Sequence, residues 1–588
     1  MKTNLTLAIL ALACNAYAGS ATWNLNPTSN DWNLAQNWTP QTIPSSTTDV
    51  ATFQASNITN LICGDAPGGE GTSTIVGEIV FAPGAGAYTI TITPVFDNGF
   101  PSIMEVHEGI TNNSGKVQKF VMANSGTTIS SARLYFMGSA NAGLDIVATN
   151  QGGAVSGVYG GFTQFLNTAS AGSATCISNG GLVVGAHSGF TSLLDESGAE
   201  SATFISNPAE VAGADAAFTD VESSGNIGTS TFIANPASVP GAEAGRVYAS
   251  YATAAGASFI AKGATVANCE AGQIYTYGLS GYATYTAEGG TGSGSEGGLI
   301  DIFSLPPSVQ TLVVAEPGIN GGLGGNILVG NEAPVDLAQF QVFGNGTLDL
   351  DLVIQSAITI GSLSGDGNVL LSGQTLRIGN NNLDTTFAGI MQGSGGVAKL
   401  GSGSLTLSGA NTYSGTTEVA AGALLLTNQS GSGTGSGAVK VKSGTLGGSG
   451  IIAGAATIGS GSGTGAFLAP ATGGKKQLTL TIQSALTLNS DATYTYTFKA
   501  TKNQSRTDLV IANGVTINSG AMLNLSGQTQ GSLKQGLTLT VISNTRANPI
   551  SGTFSNLPDG AIVTVNGNNL EASYEGGDGN DLTLTVVR

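Results

Sequence analysis

Charged residues are scarce in this sequence, and positive ones are the scarcest. Only 9% of the 588 residues are charged, and 18 lysines and arginines stand against 36 aspartates and glutamates, for a formal net charge of −18. So acidic a chain repels polyanions, which argues against a nucleic-acid partner and against an anionic membrane surface. The few cations are spread along the chain, so they do not suggest the cationic site that a polysaccharide lyase needs.

Cysteine is equally rare. Beyond the N-terminal segment described below, Cys63, Cys176 and Cys269 remain, an odd number without metal-ligand spacing. We expect Cys176 to be a buried, unreactive thiol. A disulfide between Cys176 and Cys269 is not expected, because it requires Cα atoms within about 7 Å and these residues lie more than three repeats apart.

Long apolar runs are confined to the N-terminus. Lys2, the apolar stretch Leu5–Ala13 and the small-x-small site Ala16–Ala18 predict an export signal peptide over residues 1–18. A lipoprotein processed at Cys14 is the alternative, although the residues before it fit that pattern poorly. No later segment reaches the roughly 18 apolar residues of a membrane helix, so we expect no transmembrane segment after cleavage.

Glycine and small strand-forming residues are abundant. The chain has 89 glycines and is 41% hydrophobic but only 6% aromatic. A disordered chain would carry more charge and fewer Val, Ile and Leu. Alternating Thr, Ile and Val runs recur between turn signals, and the helical period of 3.6 residues is not seen. The sequence predicts an all-β fold with many tight turns.

A repeat occupies positions 142–290. Each unit contains a short alternating run, and its equivalent positions are assigned to Ile146, Thr175, Thr203, Thr231, Ser258 and Thr284. A turn asparagine is assigned to each of the first four units, at Asn150, Asn179, Asn207 and Asn235. The period is about 28 residues, and self-similarity at a fixed period of this length is typical of a solenoid.

Stacking of these units as a parallel β-solenoid places residue i about 4.8 Å from its equivalent one repeat later. Phe204, Phe232 and Phe259 then form one row, which Cys176 begins. Alternation alone leaves open whether these phenylalanines or the adjacent isoleucines point inward.

The N-terminal segment differs from the repeats because it contains all three tryptophans, Trp23, Trp32 and Trp38. Terminal repeats of solenoids are atypical, since an open sheet edge must be covered. We interpret this segment as a cap. A sugar-stacking platform is the alternative interpretation.

One later stretch carries a recognisable repeat. Residues 403–417 read G-S-L-T-L-S-G-A-N-T-Y-S-G-T-T, preceded by Gly393–Gly401 and followed by Gly422-Ala423-Leu424. This closely resembles the autotransporter-associated β-strand repeat, also called the passenger-associated transport repeat, with weaker similarity over residues 340–588. The FxxN and GGA motifs, at Phe204–Asn207, Phe232–Asn235 and Gly152–Ala154, resemble those of chlamydial polymorphic outer-membrane proteins.

The resemblance implies a right-handed parallel β-helix that is secreted or displayed at the cell surface of a Gram-negative-type bacterium, associated with the outer membrane. Autotransporters of this family end in a membrane β-barrel, whereas Leu582–Arg588 lacks a terminal aromatic residue. We therefore expect another component to carry the chain. The partner implied is a cell-surface glycan or a protein receptor, and no oligomeric state is assigned.

These observations predict a division of the chain in order. The expected segments are a signal peptide (1–18), a Trp-containing cap with the first coils (19–110), a β-helix built from the repeats described above (111–300), a proline-containing transition (301–339), autotransporter-associated β-strand repeats (340–470) and C-terminal solenoid coils (471–588).

Candidate catalytic groups are few. His107 lies beside Glu108, and His187 lies in a glycine-rich turn. Asp349 and Asp351 alternate with leucine, which would place them on one face about 7 Å apart, near the spacing of glycosidase carboxylates. Neither arrangement forms a recognisable constellation, so we predict no catalytic residues, no cofactor site and no metal site.

Two glycine-rich motifs have ordinary explanations. Gly292–Gly297 fits GxGxxG, but no strand–helix unit surrounds it, so a dinucleotide site is not expected. Gly576–Leu582 resembles a calcium-binding nonapeptide in a single copy, which is too few for a calcium ladder. We expect each to be a turn.

The predicted function is that of an exported, non-enzymatic β-helical protein, a surface scaffold or an adhesin-like passenger. The alternative is a glycan-binding or polysaccharide-active β-helix. A third hypothesis is an autotransporter fragment whose barrel is encoded in another chain.

Overall fold

The computed structural model describes residues 19–64, 73–94, 101–124, 131–305, 311–330, 335–351, 355–471 and 476–588. Within them the chain consists of β-strands and turns, with one 3-10 turn at Ala35–Asn37 and no α-helix. It divides into two compact units, Met1–Phe232 with Gly245–Val247, and Ile233–Ala244 with Tyr248–Arg588. The predicted signal peptide lies outside the described residues.

In the first unit, successive strands alternate between two largely parallel sheets. The first sheet contains Ala21–Trp23, Trp38–Thr39, Val50–Phe53, Thr74–Phe81, Ser102–Asn112, Ala132–Phe136, Phe162–Phe165, Phe190–Asp195 and Phe218–Ser223. The second contains Asn60–Cys63, Thr89–Ile92, Gln118–Met122, Ile146–Asn150, Thr175–Ser178, Thr203–Ser206 and Asn226–Gly228. The boundary between the units falls within Thr231–Ala234 and Arg246–Ser250.

The repeats stack in register, as the sequence predicts. Cys176 pairs with Phe204 one coil away, and the rings of Phe204 and Phe232 are stacked with centroids 4.8 Å apart. These side chains are buried, whereas Ile177 and Ile205 on the same strands point outward and are only partly covered. The parallel β-solenoid is confirmed, and its right-handedness stays a prediction.

The structure corrects the assignment of the first repeat by one residue. Val147, and not Ile146, pairs with Thr175, so this period equals the next one, in which Thr175 pairs with Thr203. Asn150 likewise pairs with Ser178, not with Asn179. The error arose because alternation alone does not show which face of a strand points inward, while the hydrogen-bond register admits only one pairing.

Asn150 is therefore an interior residue and anchors a buried polar cluster. Its amide nitrogen donates to Ser178 Oγ at 3.1 Å and to Thr191 Oγ1 at 3.0 Å. Its oxygen accepts from Thr163 Oγ1 at 2.9 Å. All four side chains are buried, so each hydrogen bond offsets a desolvation cost that would otherwise destabilise the core.

The three tryptophans form a buried cluster with Phe53. The ring centroids of Trp38 lie 5.1 Å from Trp23 and 5.0 Å from Trp32, both edge to face. Their exposed fractions are 1% for Trp23 and 0% for Trp32 and Trp38. The sugar-stacking alternative is therefore wrong, because no ring face is open to a ligand. The cap interpretation stays a prediction.

In the second unit, strands of each coil also join largely parallel sheets. One sheet contains Gln273–Tyr277, Leu299–Ser304, Asn326–Val329, Thr347–Asp349, Asn368–Leu370 and Ile390–Gln392. Another contains Thr253–Ala261, Ser280–Ala287, Leu312–Ala315, Gln339–Val342, Ser362–Gly365, Thr385–Phe387, Ser404–Leu407, Ala423–Leu426, Gly444–Gly448, Ala466–Ala469, Ala492–Ala500, Ser505–Thr507 and Met522–Thr529.

Two further sheets are added later in this unit. The third contains Ala357–Ile360, Thr375–Ile378, Gly396–Lys399, Thr417–Val419, Val439–Val441, Ala456–Ile458, Leu486–Leu488 and Val515–Ile517. The fourth contains Ile451–Ile452, Thr479–Ile482, Leu509–Ala512, Thr538–Asn544, Ile562–Val565, Asn568–Gly576 and Asp581–Val587. The last three strands of the fourth sheet are antiparallel, which departs from the solenoid coils expected up to residue 588.

The coils shorten in the second unit, and glycine makes the tighter turns possible. Leu405 pairs with Leu424, and Leu424 with Leu446, so successive equivalents are closer in sequence than in the first unit. Gly401 and Gly422 lie at the turns with a φ of +65°, a left-handed conformation that side chains with a Cβ disfavour. The turn glycines of the resembled repeat are thus required by backbone geometry.

Lys399 is buried between these turns, with an exposed fraction of 1%. Its Nζ donates to the carbonyl oxygens of Leu400 and, at 3.1 Å, Gly401. A Cβ at Gly422 would lie 2.9 Å from this nitrogen, so the glycine also makes room for the ammonium group. Burial lowers the pKa of Lys399 to about 8, partly opposed by the Asp384 charge.

We expect Trp38→Phe to destabilise the tryptophan cluster more than Trp32→Phe does. Trp38 Nε1 donates to the carbonyl oxygen of Trp32 at 2.7 Å, whereas the buried Trp32 Nε1 has no hydrogen-bond partner among the described residues. Loss of the bonded donor should cost about 1 kcal/mol more. Urea titration followed by tryptophan fluorescence measures this locally, because all three tryptophans lie in the cluster. Equal urea midpoints for the two variants would contradict a stabilising hydrogen bond from Trp38 Nε1.

We also expect Lys399 to make stability depend on alkaline pH. A lysine whose pKa is lower in the folded chain binds fewer protons there than when unfolded, so stability rises with pH between the folded and unfolded pKa values. From about pH 7 to about pH 10, the free energy of unfolding of the parent should therefore gain roughly 1 to 3 kcal/mol relative to Lys399→Met.

The exposed Lys440→Met serves as the control for this measurement, since Lys440 lies at the surface of the same sheet. Its stability difference from the parent should stay constant over the same pH range. If the stability difference between the parent and Lys399→Met is also independent of pH, the pKa of Lys399 is not lowered in the folded protein and the prediction is wrong.

Candidate functional site

The turns between strands stack into a column in the first unit. Gly157, Gly185 and Gly213 occupy equivalent places with φ between +74° and +79°. The amide of Gly157 donates to the carbonyl of Gly185, and that of Gly185 to Gly213, both at 2.7 Å. Side chains that follow each glycine are thereby aligned along the surface, one coil apart.

The aligned residues are Tyr159, His187 and Asp215. The Tyr159 ring stacks on the His187 imidazole with centroids 4.4 Å apart. His187 Nδ1 lies 2.7 Å from Asp215 Oδ2. An ionised carboxylate can only accept, so Nδ1 carries the hydrogen of this bond. The three side chains form a continuous outward line.

Exposed apolar side chains flank this line. Val184 is 66% exposed and Tyr159 55%, and Val155, Leu182 and Val183 are also exposed. We call Val155, Tyr159, Leu182, Val183, Val184, His187 and Asp215 together the turn surface. Neighbouring exposed apolar groups with a few polar ones are typical of a contact site for another molecule.

The sequence did not reveal the partner of His187, because Asp215 lies a full repeat further along the chain. The repeat period was the signal that could have found it, since residues one period apart become neighbours in a solenoid. Chemically, an imidazole oriented by a carboxylate is the base half of a hydrolase triad. One face of the His187 imidazole stacks against the Tyr159 ring.

The other sequence candidates lie apart from the turn surface. His107 Nε2 is 3.3 Å from Glu105 Oε2, two residues back on the same strand face, so Glu105 and not Glu108 is its partner. The strand ends at Asp349, and the amide of Asp351 donates to Asp349 Oδ1 at 2.8 Å. The predicted carboxylate pair along one strand face is therefore wrong, because the two residues form a turn.

Both glycine-rich motifs are turns. Within Gly292–Gly297, Gly294 has a φ of +71° and its amide donates to Gly321 O at 3.0 Å in the adjacent coil. Gly576 pairs with Asp581 across the turn between two antiparallel strands. Among the described residues, no group of three or more His, Cys, Asp or Glu side chains is placed to hold a metal ion.

The cysteines that the structure describes, Cys63, Cys176 and Cys269, are buried and form no disulfide with one another. Burial raises the pKa of Cys63 and of Cys176 to about 12, so neither thiol forms a reactive thiolate near neutral pH. Cys176 lies in the interior row next to Phe204, as expected.

No described helix is long and apolar enough to span a membrane.

The asparagine and tyrosine at the centre of the recognised repeat are buried as well. Asn411 Oδ1 accepts from the amide of Met391 at 2.8 Å, and its Nδ2 donates to Gly433 O at 2.7 Å. Tyr413 OH lies 2.6 Å from Thr417 Oγ1. Asn411 therefore links one coil to the next, and neither side chain is exposed for ligand binding.

Comparison with known proteins supports the repeat. The family model described as passenger-associated-transport-repeat matches residues 397–426, which confirms the resemblance. No curated protein matches the chain. Among solved structures, the crystal structure of the Haemophilus influenzae Hap adhesin matches 91% of this chain at 12% identity and a TM-score of 0.25. This chain covers 65% of that one, and a likeness so low supports no functional conclusion.

Proposed function

We propose that this protein is an exported, non-enzymatic β-solenoid of the passenger type that acts at the bacterial cell surface as an adhesin-like binding scaffold. The observation that carries the proposal is the passenger-associated repeat at residues 397–426, built in register into a parallel solenoid. A solenoid suits this role because each added coil extends the surface available to a partner.

The turn surface is the part of the first unit best suited to contact. Its valines, leucine and Tyr159 supply apolar area, and the His187–Asp215 pair supplies polar groups at its edge. Aromatic and aliphatic anchors beside polar groups are typical of protein and glycan recognition. We propose a cell-surface protein receptor or glycan as the partner.

A polysaccharide-active solenoid is the second candidate function. The specific observation in its favour is the His187–Asp215 hydrogen bond, since a carboxylate-oriented imidazole can act as a general base. The Tyr159 ring stacked on the imidazole could also contact a sugar ring. This arrangement provides a base but no identified nucleophile or acid.

Export to the cell surface is the first expectation to test. Protease added to intact bacteria of the native strain should digest the protein, while a cytoplasmic enzyme in the same cells stays intact. Antibody against residues 142–290 should label the unbroken cells. Complete protection of the chain until the cells are lysed would contradict surface display.

Substitutions in the turn surface should reduce adhesion. Tyr159→Ala combined with Val184→Asp removes an exposed ring and places a charge on the apolar surface, so adhesion should fall by roughly tenfold or more. The measurement is the adhesion of beads coated with purified protein to cultured cells and to a glycan array. Tyr282→Ala with Ile562→Asp, at exposed positions in the second unit, is the matched control.

Three outcomes separate the candidate functions. Selective loss of adhesion in the turn-surface variant supports the scaffold. Equal adhesion of parent, variant and control rejects the turn surface as the contact. Release of reducing ends from a polysaccharide panel by the parent, abolished by His187→Ala, favours the enzyme and overturns the non-enzymatic proposal.

A further inference from the structure

A basic cleft lies near the C-terminus of this acidic chain. The strand Ala492–Ala500 is followed by a short hairpin strand, Ser505–Thr507, and is flanked on its other side by Met522–Thr529. A cavity of about 420 Å³ lies over these strands. Its size falls within the range of small-molecule sites, about 300 to 1,000 Å³.

The strand register places two cations side by side in this cleft. Lys499 lies directly opposite Arg506 on one neighbouring strand and opposite Gln528 on the other. Directly opposed side chains have Cβ atoms about 4.5 to 5.5 Å apart. Both residues line the cavity, so a single anion in the cleft can contact Lys499 and Arg506 together.

The hairpin turn beside the cleft contains a further lysine. Lys502 is in the hairpin turn, and the amide of Lys534 donates to the Lys502 carbonyl at 2.9 Å. The acid closest in sequence is Asp508, which is buried. Asp508 Oδ2 accepts from the amide and hydroxyl of Thr497, and Oδ1 from the amide of Leu478. These bonds fix the hairpin against its strand and the adjacent coil, so the cleft is preorganised.

The remaining lining indicates the kind of anion. Gln504, Gln528, Gln530 and Thr501 supply amides and a hydroxyl that can both donate and accept. Such groups match the hydroxyls of a sugar, while the guanidinium of Arg506 matches a carboxylate in a two-bond arrangement. None of the lining residues is aromatic, so stacking platforms for nucleic-acid bases are not provided.

We infer that the cleft formed by Lys499, Arg506 and Gln528 binds an acidic sugar unit, with its carboxylate between the two cations and its hydroxyls on the glutamine amides. The inference rests on the proposed function as a surface binding protein and names one chemical class of partner. The site is separate in sequence from the turn surface, and it depends on different residues.

The test is calorimetric titration of the purified full chain with trigalacturonate, with the carboxyl-reduced trisaccharide and inorganic phosphate as comparison probes. Trigalacturonate should bind, and reduction of its carboxylates should weaken binding at least tenfold. Lys499→Gln with Arg506→Gln should produce a similar loss. Raising the salt from about 50 to about 300 mM should weaken binding several-fold, because the ion pairs are partly exposed.

Arg377→Gln with Lys440→Gln is the charge-matched control, since both residues are exposed elsewhere in the second unit. It should change affinity by less than twofold. Gln528→Ala, which keeps both cations, should weaken trigalacturonate binding several-fold without affecting phosphate. This variant keeps the inference testable if the double substitution impairs folding, which circular dichroism would show.

The inference is overturned if trigalacturonate does not bind, if the carboxyl-reduced sugar binds equally well, or if the cleft and control variants behave alike. Binding of phosphate as tight as that of trigalacturonate overturns the sugar assignment and leaves a simple anion site. Bead adhesion through the turn surface is measured separately. Failure in the cleft with intact adhesion therefore rejects this inference alone, whereas lost surface display or adhesion rejects the proposed function.

Discussion

Backbone hydrogen bonding between parallel strands of successive coils is the interaction on which the structure of each unit depends. It ties a residue to its equivalent one repeat away, so like side chains meet. Phe204 stacks on Phe232, and the side-chain amide of Asn207 donates to Asn179 at 2.7 Å. A residue type that packs well in one coil therefore recurs at the equivalent position of the next coil. The same ladder makes an error of register costly, because a shift by one residue turns interior groups outward.

The turns must stack at the same spacing as the hydrogen-bonded strands, and the residues that form them differ between the two units. The longer coils of the first unit stack turns that contain a left-handed glycine such as Gly185. The shorter coils around residues 397–426 use Gly401 and Gly422 in the same conformation and enclose Lys399 between the turns. The glycines of the passenger-associated repeat, like its buried Asn411 and Tyr413, therefore serve coil-to-coil packing. Recognition of this repeat identifies a structural element and does not by itself locate a binding site.

The proposed binding surfaces are formed by side chains that point away from the interior of the solenoid. The turn surface is made by stacking alone, since Tyr159, His187 and Asp215 are aligned by the period. The basic cleft arises where the solenoid pattern is interrupted by an antiparallel hairpin that brings Arg506 beside Lys499. The two surfaces differ in chemistry, one largely apolar and one cationic. An acidic chain with few cations can still form a local positive site when strand pairing gathers them.

The sequence by itself determined the all-β class, the repeat period and the passenger-associated repeat, because periodicity and turn residues are local properties of the chain. It left open whether Phe204 or Ile205 faces inward, since an alternating strand reads equally well from either face. It misplaced Asn150 by one residue and paired Asp349 with Asp351 along a strand that in fact ends between them. The burial of the tryptophans, the His187–Asp215 contact and the meeting of Lys499 with Arg506 and Gln528 were decided only by the tertiary structure. Each of these contacts depends on which strands become neighbours. Backbone pairing between coils and across hairpins decides this, and it joins residues too far apart in sequence for a local pattern to predict.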